Sequence, residues 1–304
     1  MINLEEIKSF FKGKILINEP LSNHTSFRIG GPADFYFEPI DKDDIIKLVT
    51  YLCKINFPYC IFGNGSNLLV SDNGLRCAVI SLENSLKNKR IENDLVIAEA
   101  GIKLSALVDF CIQNGKAGIE MLAGIPGSLG GALIMNASAY GGSISDHIVD
   151  VEVFQDGELK RLKKNEINFS YRNSSLANSV ILEASFLFPE GDINKIAAIR
   201  KELLDKRREN QPVNYPSAGC IFKNPEGYHA ALLIQEAGLK GLKIGGAEIS
   251  QLHGNFIINT NNASANDVIE LIKIVKKKIK ETKGIDLQVE VKLIGFKSNP
   301  LEND

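Results

Sequence analysis

Hydrophobic residues recur three or four positions apart in four long stretches of this 304-residue chain, a spacing typical of amphipathic helices. The helices predicted from this spacing cover residues 41–55, 103–114, 192–210 and 264–283. The last has the clearest end signals, because Ser264 and Asp267 form a capping pattern and Gly284 stands just past its end. Shorter helices are predicted near the N-terminus and over 129–135 and 230–238.

Alternating apolar and polar positions predict strands between these helices. The predicted strands cover 34–38, 58–62, 78–82, 95–98, 149–154, 159–162, 179–188, 220–222, 254–260 and 287–294, while 136–142 is predicted to be a loop. Helix and strand patterns are mixed throughout, which indicates an α+β protein. Gln211-Pro212 ends the third long helix, and we place the main domain boundary there.

Composition is that of a soluble globular protein, with 44% hydrophobic residues, 24% charged residues and a formal net charge of -2. No basic excess points to nucleic acid, and no apolar run approaches the length that spans a bilayer. Five cysteines without a C-x-x-C pair favour a reducing, cytoplasmic location. The four histidines lack metal-ligand spacing, so no metal site is expected.

Two glycine-rich stretches have the composition of phosphate-binding loops, since glycine allows backbone N–H groups to approach an anion closely. They run from Gly63 to Leu69 and from Gly124 to Ala132, and the helix that follows the second is expected to turn its first amides toward the same anion. Each loop alone could be only a tight turn between packed elements. As a pair they favour a bound dinucleotide. The candidate binding residues are Gly63, Asn64, Gly65, Ser66, Asn67, Leu68, Gly124, Ile125, Gly127, Ser128, Gly130 and Gly131.

Three residues in the second half are candidates for chemistry, each with a structural alternative. Arg172 offers planar donors to a carboxylate, or is an ordinary surface cation. Cys220 follows the small residues 217–219 and is either a reactive thiol or a buried structural one. Glu290 lies in the alternating closing strand, where an acid is normally solvent-facing.

From about Ser22 to Gly295, the chain resembles the UDP-N-acetylenolpyruvoylglucosamine reductases, flavoenzymes of peptidoglycan precursor synthesis. The motifs that carry the resemblance are Asn23–Gly31, the two glycine loops, Ser170-Tyr171-Arg172, Gly219–Pro225, His253–Phe256 and Val289-Glu290-Val291. The resemblance implies a two-part FAD-binding module of the vanillyl-alcohol oxidase (PCMH) type, followed by a smaller α/β substrate-binding domain. The corresponding divisions are 1–83 and 84–210 for the FAD module and 211–304 for the substrate domain and a disordered tail.

The family's activity implies non-covalent FAD, NADPH as reductant and a UDP-sugar enolpyruvyl ether as substrate. By resemblance, Arg28 joins the glycine loops in binding FAD, while Tyr171, Lys223 and Asn224 contact the substrate. Arg172 and Glu290 would stabilise the enolate-like species, and Cys220 stands where the family commonly has a serine proton donor. A monomer is expected. The alternatives are another FAD-dependent oxidoreductase on the same module and a non-catalytic FAD-binding protein.

Overall fold

The computed structural model describes residues 2–302 and contains mixed helices and strands, as the sequence pattern predicts. Its helices are α1 (Leu4–Lys8), α2 (Lys42–Lys54), α3 (Leu104–Gln113), α4 (Leu129–Ile134), α5 (Ile193–Asn210), α6 (Ala230–Glu236) and α7 (Ala265–Lys283). Each helix predicted from apolar spacing is confirmed to within two residues at either end. Within residues 2–302, none of these helices combines the length and apolar character needed to cross a membrane.

Short strands connect the helices and pair into several small sheets. In chain order they are β1 (Lys14–Pro20), β2 (Pro32–Glu38), β3 (Tyr59–Phe62), β4 (Leu68–Val70), β5 (Leu75–Ser81), β6 (Lys89–Glu92), β7 (Leu95–Glu99), β8 (Ser138–Ala139), β9 (Gly142–Ser143), β10 (Ile148–Gln155), β11 (Glu158–Lys163), β12 (Phe169–Ser170), β13 (Asn173–Ser174), β14 (Val180–Phe186), β15 (Ser217–Cys220), β16 (Lys243–Ile244), β17 (Ala247–Ile249), β18 (Phe256–Asn259) and β19 (Lys292–Ile294).

The chain forms two compact units, and each is assembled from separate stretches of sequence. The first contains the residues up to Leu16, Phe35–Asn64 and Cys77–Lys206. The second contains Ile17–Asp34, Gly65–Arg76 and the residues from Arg207 onward. The first glycine loop is therefore divided between the units after Asn64.

The first unit contains a five-stranded antiparallel sheet in the order β11-β10-β14-β7-β6. A second sheet has the order β1-β2-β5-β3, of which the first unit contains β3 and the parts of the other strands at 14–16, 35–38 and 77–81. In this sheet β3 and β5 run parallel, with Cys60 opposite Val79. Buried aliphatic and aromatic residues of both sheets join α2 and α3 in one core. The apolar stripes of these helices face this core, and their burial supplies the main favourable free energy of folding.

The second unit is built on the antiparallel sheet β15-β18-β17-β16. Helix α7 buries its apolar stripe in the core of this unit, including Val268, Leu271, Ile272, Val275 and Ile279. A separate parallel pair joins β4 to β19, with Leu69 opposite Leu293. Strand β4 directly follows the first glycine loop, so this pairing fixes the end of the loop to the C-terminal part of the chain.

Several predicted boundaries are wrong. The strand predicted over 287–294 is shorter in the structure and consists of β19 alone. The residues before β19 form only one isolated bridge, between Val289 and Phe222. Cys220 ends β15 rather than beginning a strand. The expected loop 136–142 contains β8 and the start of β9, and β1 is not predicted at all. The expected frayed tail includes residues 303 and 304, which lie outside the described residues.

The capping box of α7 gives a test of local stability. Ser264 Oγ accepts a hydrogen bond from the Asp267 N–H (3.1 Å), and Asp267 Oδ2 accepts one from the Ser264 N–H (2.9 Å). We expect Ser264→Ala to lower the free energy of unfolding by about 1 kcal/mol, since an N–H at the helix start loses its acceptor. Urea denaturation measures the change. Ser264→Thr keeps the hydroxyl and serves as the matched control, so an equal loss in both variants would contradict the capping role.

Candidate active site

The segment containing Cys220 pairs with the segment containing Glu290 in the second unit. The Glu290 N–H donates to Ile221 O (2.8 Å), and the Lys223 N–H donates to Gln288 O (2.8 Å). These bonds flank the bridge between Phe222 and Val289. The two predicted catalytic residues of this unit therefore lie on adjoining, hydrogen-bonded stretches of backbone.

Asn255 holds the other side of the Cys220 segment. Its side chain is 2% exposed, and it accepts a hydrogen bond from the Phe222 N–H (2.9 Å) and donates one to Phe222 O (2.7 Å). Its own main-chain oxygen accepts from the Ile221 N–H (2.9 Å). Three hydrogen bonds thus fix the backbone directly after Cys220. Asn255 lies in the motif at 253–256, for which the sequence predicts no individual roles. Its place just before the apolar strand β18 is nevertheless typical of a buried, hydrogen-bonded polar side chain.

Cys220 is half-buried, unlike the fully buried Cys111. Burial raises the pKa of Cys111 to about 12, which makes that thiol an inert part of the core. Before Cys220, Gly219 has a φ of +76°, and a side chain added there would meet no atom within 4 Å. The position next to Cys220 in the chain is therefore open, and Cys220 itself is less buried than a core thiol such as Cys111.

Glu290 is also half-buried, and its main-chain oxygen accepts a hydrogen bond from Asn67 Nδ2 (3.3 Å). Asn67 O in turn accepts from the Lys292 N–H (3.0 Å). A residue predicted to bind the cofactor is thus bonded to the backbone of a residue predicted to be catalytic. The structure brings Asn67, Cys220, Lys223 and Glu290 together within the second unit.

Arg172 belongs to the first unit, at the tip of the β12-β13 hairpin. Its φ of +58° is uncommon for a residue with a side chain and stores backbone strain. Arg172 Nη1 donates to Ser138 Oγ (3.0 Å) and to Ser138 O (3.2 Å), and its guanidinium carbon lies 5.3 Å from the centroid of the Tyr171 ring. These contacts fix the guanidinium, which an ordinary surface cation would not require.

The two glycine loops meet within the first unit. A Cβ added at Gly63 would lie 2.2 Å from Ser128 Oγ and 3.2 Å from Ser128 Cβ, so it would displace this hydroxyl from its position as the acceptor of the Gly131 N–H. Among residues 2–302, no protein group accepts a hydrogen bond from the N–H groups of Gly63, Asn64, Gly127 or Ser128. Asn64 Oδ1 is buried and likewise without a partner in that part of the chain. Clustered unused donors suit phosphate oxygens, and Asn64 Oδ1 suits a ligand N–H or O–H, so the residues fit a phosphate-bearing cofactor.

The sequence predicts that the first N–H groups of α4 face the bound anion, and this prediction is wrong. The Leu129 N–H donates to Ile102 O (2.9 Å), and the Gly130 N–H donates to Ala100 O (2.8 Å). The Gly131 N–H donates to Ser128 Oγ (3.3 Å). Protein acceptors therefore use the donors at this helix start, and the unused donors of the second loop precede the helix.

The part of the first loop that belongs to the second unit packs against the motif at 23–31. Gly65 has a φ of +58°, and a Cβ there would lie 2.1 Å from His24 O. Gly65 O accepts from the Ser26 N–H (3.1 Å). Arg28, an expected FAD-binding residue, lies in the same motif with an exposed side chain and a φ of +55°.

The residues expected to contact substrate differ in their surroundings. Tyr171 is 52% exposed, and Lys223 is half-buried. Asn224 is exposed, but its Oδ1 accepts from the Ala230 N–H (3.0 Å) at the start of α6. Its side-chain oxygen therefore stabilises this helix. Among the described residues, no group of three or more His, Cys, Asp or Glu side chains is arranged to hold a metal ion.

Two family models match the chain. A model of an FAD binding domain matches residues 33–163, which include Gly63, Asn64 and the whole second glycine loop. A model of the C-terminal domain of UDP-N-acetylenolpyruvoylglucosamine reductase matches residues 211–294, which include Cys220 and Glu290. The predicted order, an FAD-binding module followed by a smaller domain, is confirmed.

Similar proteins cover nearly the whole chain. The reductase of Caldanaerobacter subterraneus is 44% identical over 300 residues, which are 97% of this chain and 99% of that protein. The reductase of Clostridium novyi is 43% identical over 98% of this chain and 95% of its own. The crystal structure of the reductase from Thermus caldophilus matches with a TM-score of 0.79 and 33% identity, over 93% of this chain and 99% of that chain.

These matches extend beyond either family model, and they agree in fold, in sequence and in coverage of both chains. They confirm the resemblance predicted from the motifs and the α+β class. The chain belongs to the family of UDP-N-acetylenolpyruvoylglucosamine reductases.

Proposed function

We propose that this protein reduces the enolpyruvyl ether of UDP-N-acetylglucosamine to the lactyl ether, UDP-N-acetylmuramate, for peptidoglycan synthesis. FAD is the proposed bound cofactor and NADPH the reductant. The observation that carries the proposal is the hydrogen-bonded pairing of the Cys220 and Glu290 segments in a chain of this family. The pairing holds Cys220, the proposed proton donor, and Glu290, a carboxylic acid, on one hydrogen-bonded stretch of backbone. A reaction that adds a proton next to a developing negative charge requires both groups to be held in place.

FAD would be held by the two glycine loops and Arg28, without a covalent bond. The unused N–H groups of Gly63, Asn64, Gly127 and Ser128 are the donors assigned to its pyrophosphate. When bound, FAD accepts a hydride from NADPH and donates it to the substrate. The close approach of Gly63 to Ser128 keeps the donors of the two loops together.

Cys220 is the proposed general acid, which protonates the substrate carbon next to the carboxylate. Thiols are far stronger acids than the serine hydroxyl common in the family, so a cysteine can serve as the proton donor at this position. The three bonds from Asn255 and the bond from Glu290 hold the backbone around it. The thiol therefore needs little reorganisation to deliver its proton.

Arg172 and Glu290 are the proposed stabilisers of the enolate-like charge. The Arg172 guanidinium, fixed by Ser138 and Tyr171, binds the substrate carboxylate through charge-assisted hydrogen bonds. Glu290, half-buried on the segment bonded to Ile221, contributes as a protonated donor or through a water molecule.

The UDP-sugar is assigned to Tyr171 and to residues of the C-terminal region. Tyr171, Lys223 and Asn224 are the proposed contacts, with Lys223 supplying the cation for the diphosphate. The proposed divisions remain 1–83 and 84–210 for FAD and 211–304 for substrate. We also propose a cytoplasmic monomer with neither nucleic acid nor membrane as a partner. The five cysteines without a C-x-x-C pair favour a reducing compartment, and the formal net charge of -2 gives no basic excess for nucleic acid.

The two half-reactions test the proposal and the acid together. Under anaerobic conditions, we expect NADPH to bleach the flavin absorbance and the enolpyruvyl substrate to restore it. Cys220→Ala should slow the second step by about 10²–10⁴-fold and leave the first unchanged, since only the second needs a general acid. Cys53→Ser, which alters an exposed thiol, is the control. If only oxygen restores the flavin absorbance, the proposed substrate is wrong. If the Cys220→Ala variant is fully active, the proposed role of Cys220 as general acid is wrong.

Flavin content tests the glycine cradle. We expect Gly63→Ala to lower the flavin bound per chain after purification, because the added methyl group would collide with Ser128 Oγ. An affinity loss of about 1.4 kcal/mol corresponds to a tenfold weaker complex, and we expect at least this loss by flavin titration. Gly157→Ala is the control in the same unit, at a turn where a Cβ meets no atom within 4 Å. Equal flavin content in all three proteins would contradict the cradle.

Asn255 provides a test of the supporting backbone. Asn255→Leu leaves the Phe222 N–H and carbonyl without partners, which costs about 1–3 kcal/mol for each buried group. We expect slower reoxidation by substrate, while flavin content and reduction by NADPH persist. Chemical denaturation and the same anaerobic assay measure both effects. Asn261→Leu, at an exposed position, is the control. If the two variants have the same stability and the same rate of reoxidation by substrate, Asn255 does not support the Cys220 segment.

A further inference from the structure

Cys60 and Cys77 form a thiol pair that the reductase reaction does not use. Cys60 lies in β3, and Cys77 lies in the neighbouring parallel strand β5. Because Cys60 is opposite Val79, and side chains two residues apart share a face, Cys60 and Cys77 project from the same side of the sheet. Their sulfur atoms are 3.4 Å apart. The strands that carry both thiols are held in register by their own hydrogen bonds.

The two thiols are half-buried, so a small oxidant can reach them. The hydrogen bond to Cys77, together with burial, raises the pKa of Cys60 well above its usual range. Either sulfur can donate the shared hydrogen bond, so one thiol can hold a proton toward the other while that sulfur attacks an oxidant. A disulfide requires the sulfurs to close from 3.4 Å to about 2.05 Å. Because Cys60 and Cys77 are diagonal neighbours in the register, with Cα atoms expected to be about 7–8 Å apart, closure also requires a small local movement of the strands.

We propose that Cys60 and Cys77 are a modification site, at which a peroxide converts the two thiols into a reversible intrachain disulfide. One of the two sulfurs attacks one peroxide oxygen, the O–O bond breaks, and water leaves with a sulfenic acid on that cysteine. The sulfur of the other cysteine then displaces the sulfenic oxygen as a second water. Two thiols lose two electrons and two protons, and hydrogen peroxide becomes two waters.

The disulfide would close a covalent loop that contains the whole first glycine stretch, Gly63 to Leu69. Cys60 is three positions before Gly63, and Cys77 follows the loop in β5. Cross-linking removes conformational freedom from the segment when it is unfolded, so the oxidised protein should resist unfolding more than the reduced protein. In a reducing compartment such a bond forms only during oxidative stress and is reversed by thiol exchange.

Peptide mapping of the whole protein tests the site. Trypsin cleaves after Arg76 and so separates Cys60, in peptide 55–76, from Cys77, in peptide 77–87. After hydrogen peroxide treatment and alkylation of remaining thiols, we expect these peptides as one cross-linked species, two hydrogen atoms lighter than their sum. A thiol reductant should separate them. We also expect a higher melting temperature for the oxidised protein than for the reduced protein.

Cys60→Ser and Cys77→Ser should each abolish the cross-link and the shift in melting temperature, and Cys53→Ser should leave them unchanged. Mapping of the wild-type protein decides the question even if a variant fails to fold. Alkylation of both thiols after peroxide treatment would overturn the proposal. So would overoxidation of one thiol without a cross-link, or a cross-link from Cys60 to another cysteine.

Discussion

The second unit depends on the backbone hydrogen bonds of one short segment, residues 288–294. This segment donates from Glu290 to Ile221 O and from Lys292 to Asn67 O, so it joins the cysteine segment to the end of the first glycine loop. Buried backbone groups left without partners are costly, which makes this double pairing strongly preferred over alternatives. Since side chains alternate along extended backbone, a slip of one residue would bury Glu290 and expose Val291. The register that stabilises the unit is thus the same register that orients its acid.

Identical side chains have different chemistry here because their surroundings differ. Cys111 is fully buried in the first core, and its pKa is raised to about 12 by burial. Cys220 is half-buried at the end of β15. Cys60 and Cys77 share a hydrogen bond across two strands. Solvent access and nearby partners, rather than residue type, separate a core thiol, a proposed acid and a proposed oxidation site.

The glycine loops show how a protein divides its hydrogen-bond donors between itself and a ligand. The first amides of α4 bond to protein carbonyl groups, whereas those of Gly127 and Ser128 bond to none among residues 2–302. Helix α4 is thereby fixed to the segment containing Ala100 and Ile102, and the loop before it keeps its donors. A rigid support next to unused donors is the arrangement expected of a preorganised anion site.

Local patterns in the sequence determined much of this protein. The apolar spacing and capping box of α7, the strand ends at the glycine loops and the family motifs around Arg172, Cys220 and Glu290 were all readable from neighbouring residues. The helices and the capping box depend on interactions between residues a few positions apart. The family motifs are recognised by their residue types and by their order along the chain. Together these features sufficed to predict the helices, the fold class and the family.

Only the tertiary structure decided which distant segments share hydrogen bonds. Nothing near Asn67 indicates that it bonds to Glu290, and nothing near Asn255 indicates that it holds Phe222. Strand β4 has only three residues, and the alternating pattern over 287–294, which contains β19, does not indicate which strand it pairs with. Sequence by itself determined the local elements and the chemical types at the site, because these follow from nearby residues. Tertiary structure decided their partners, because pairing between distant segments depends on how the whole chain buries its apolar surface.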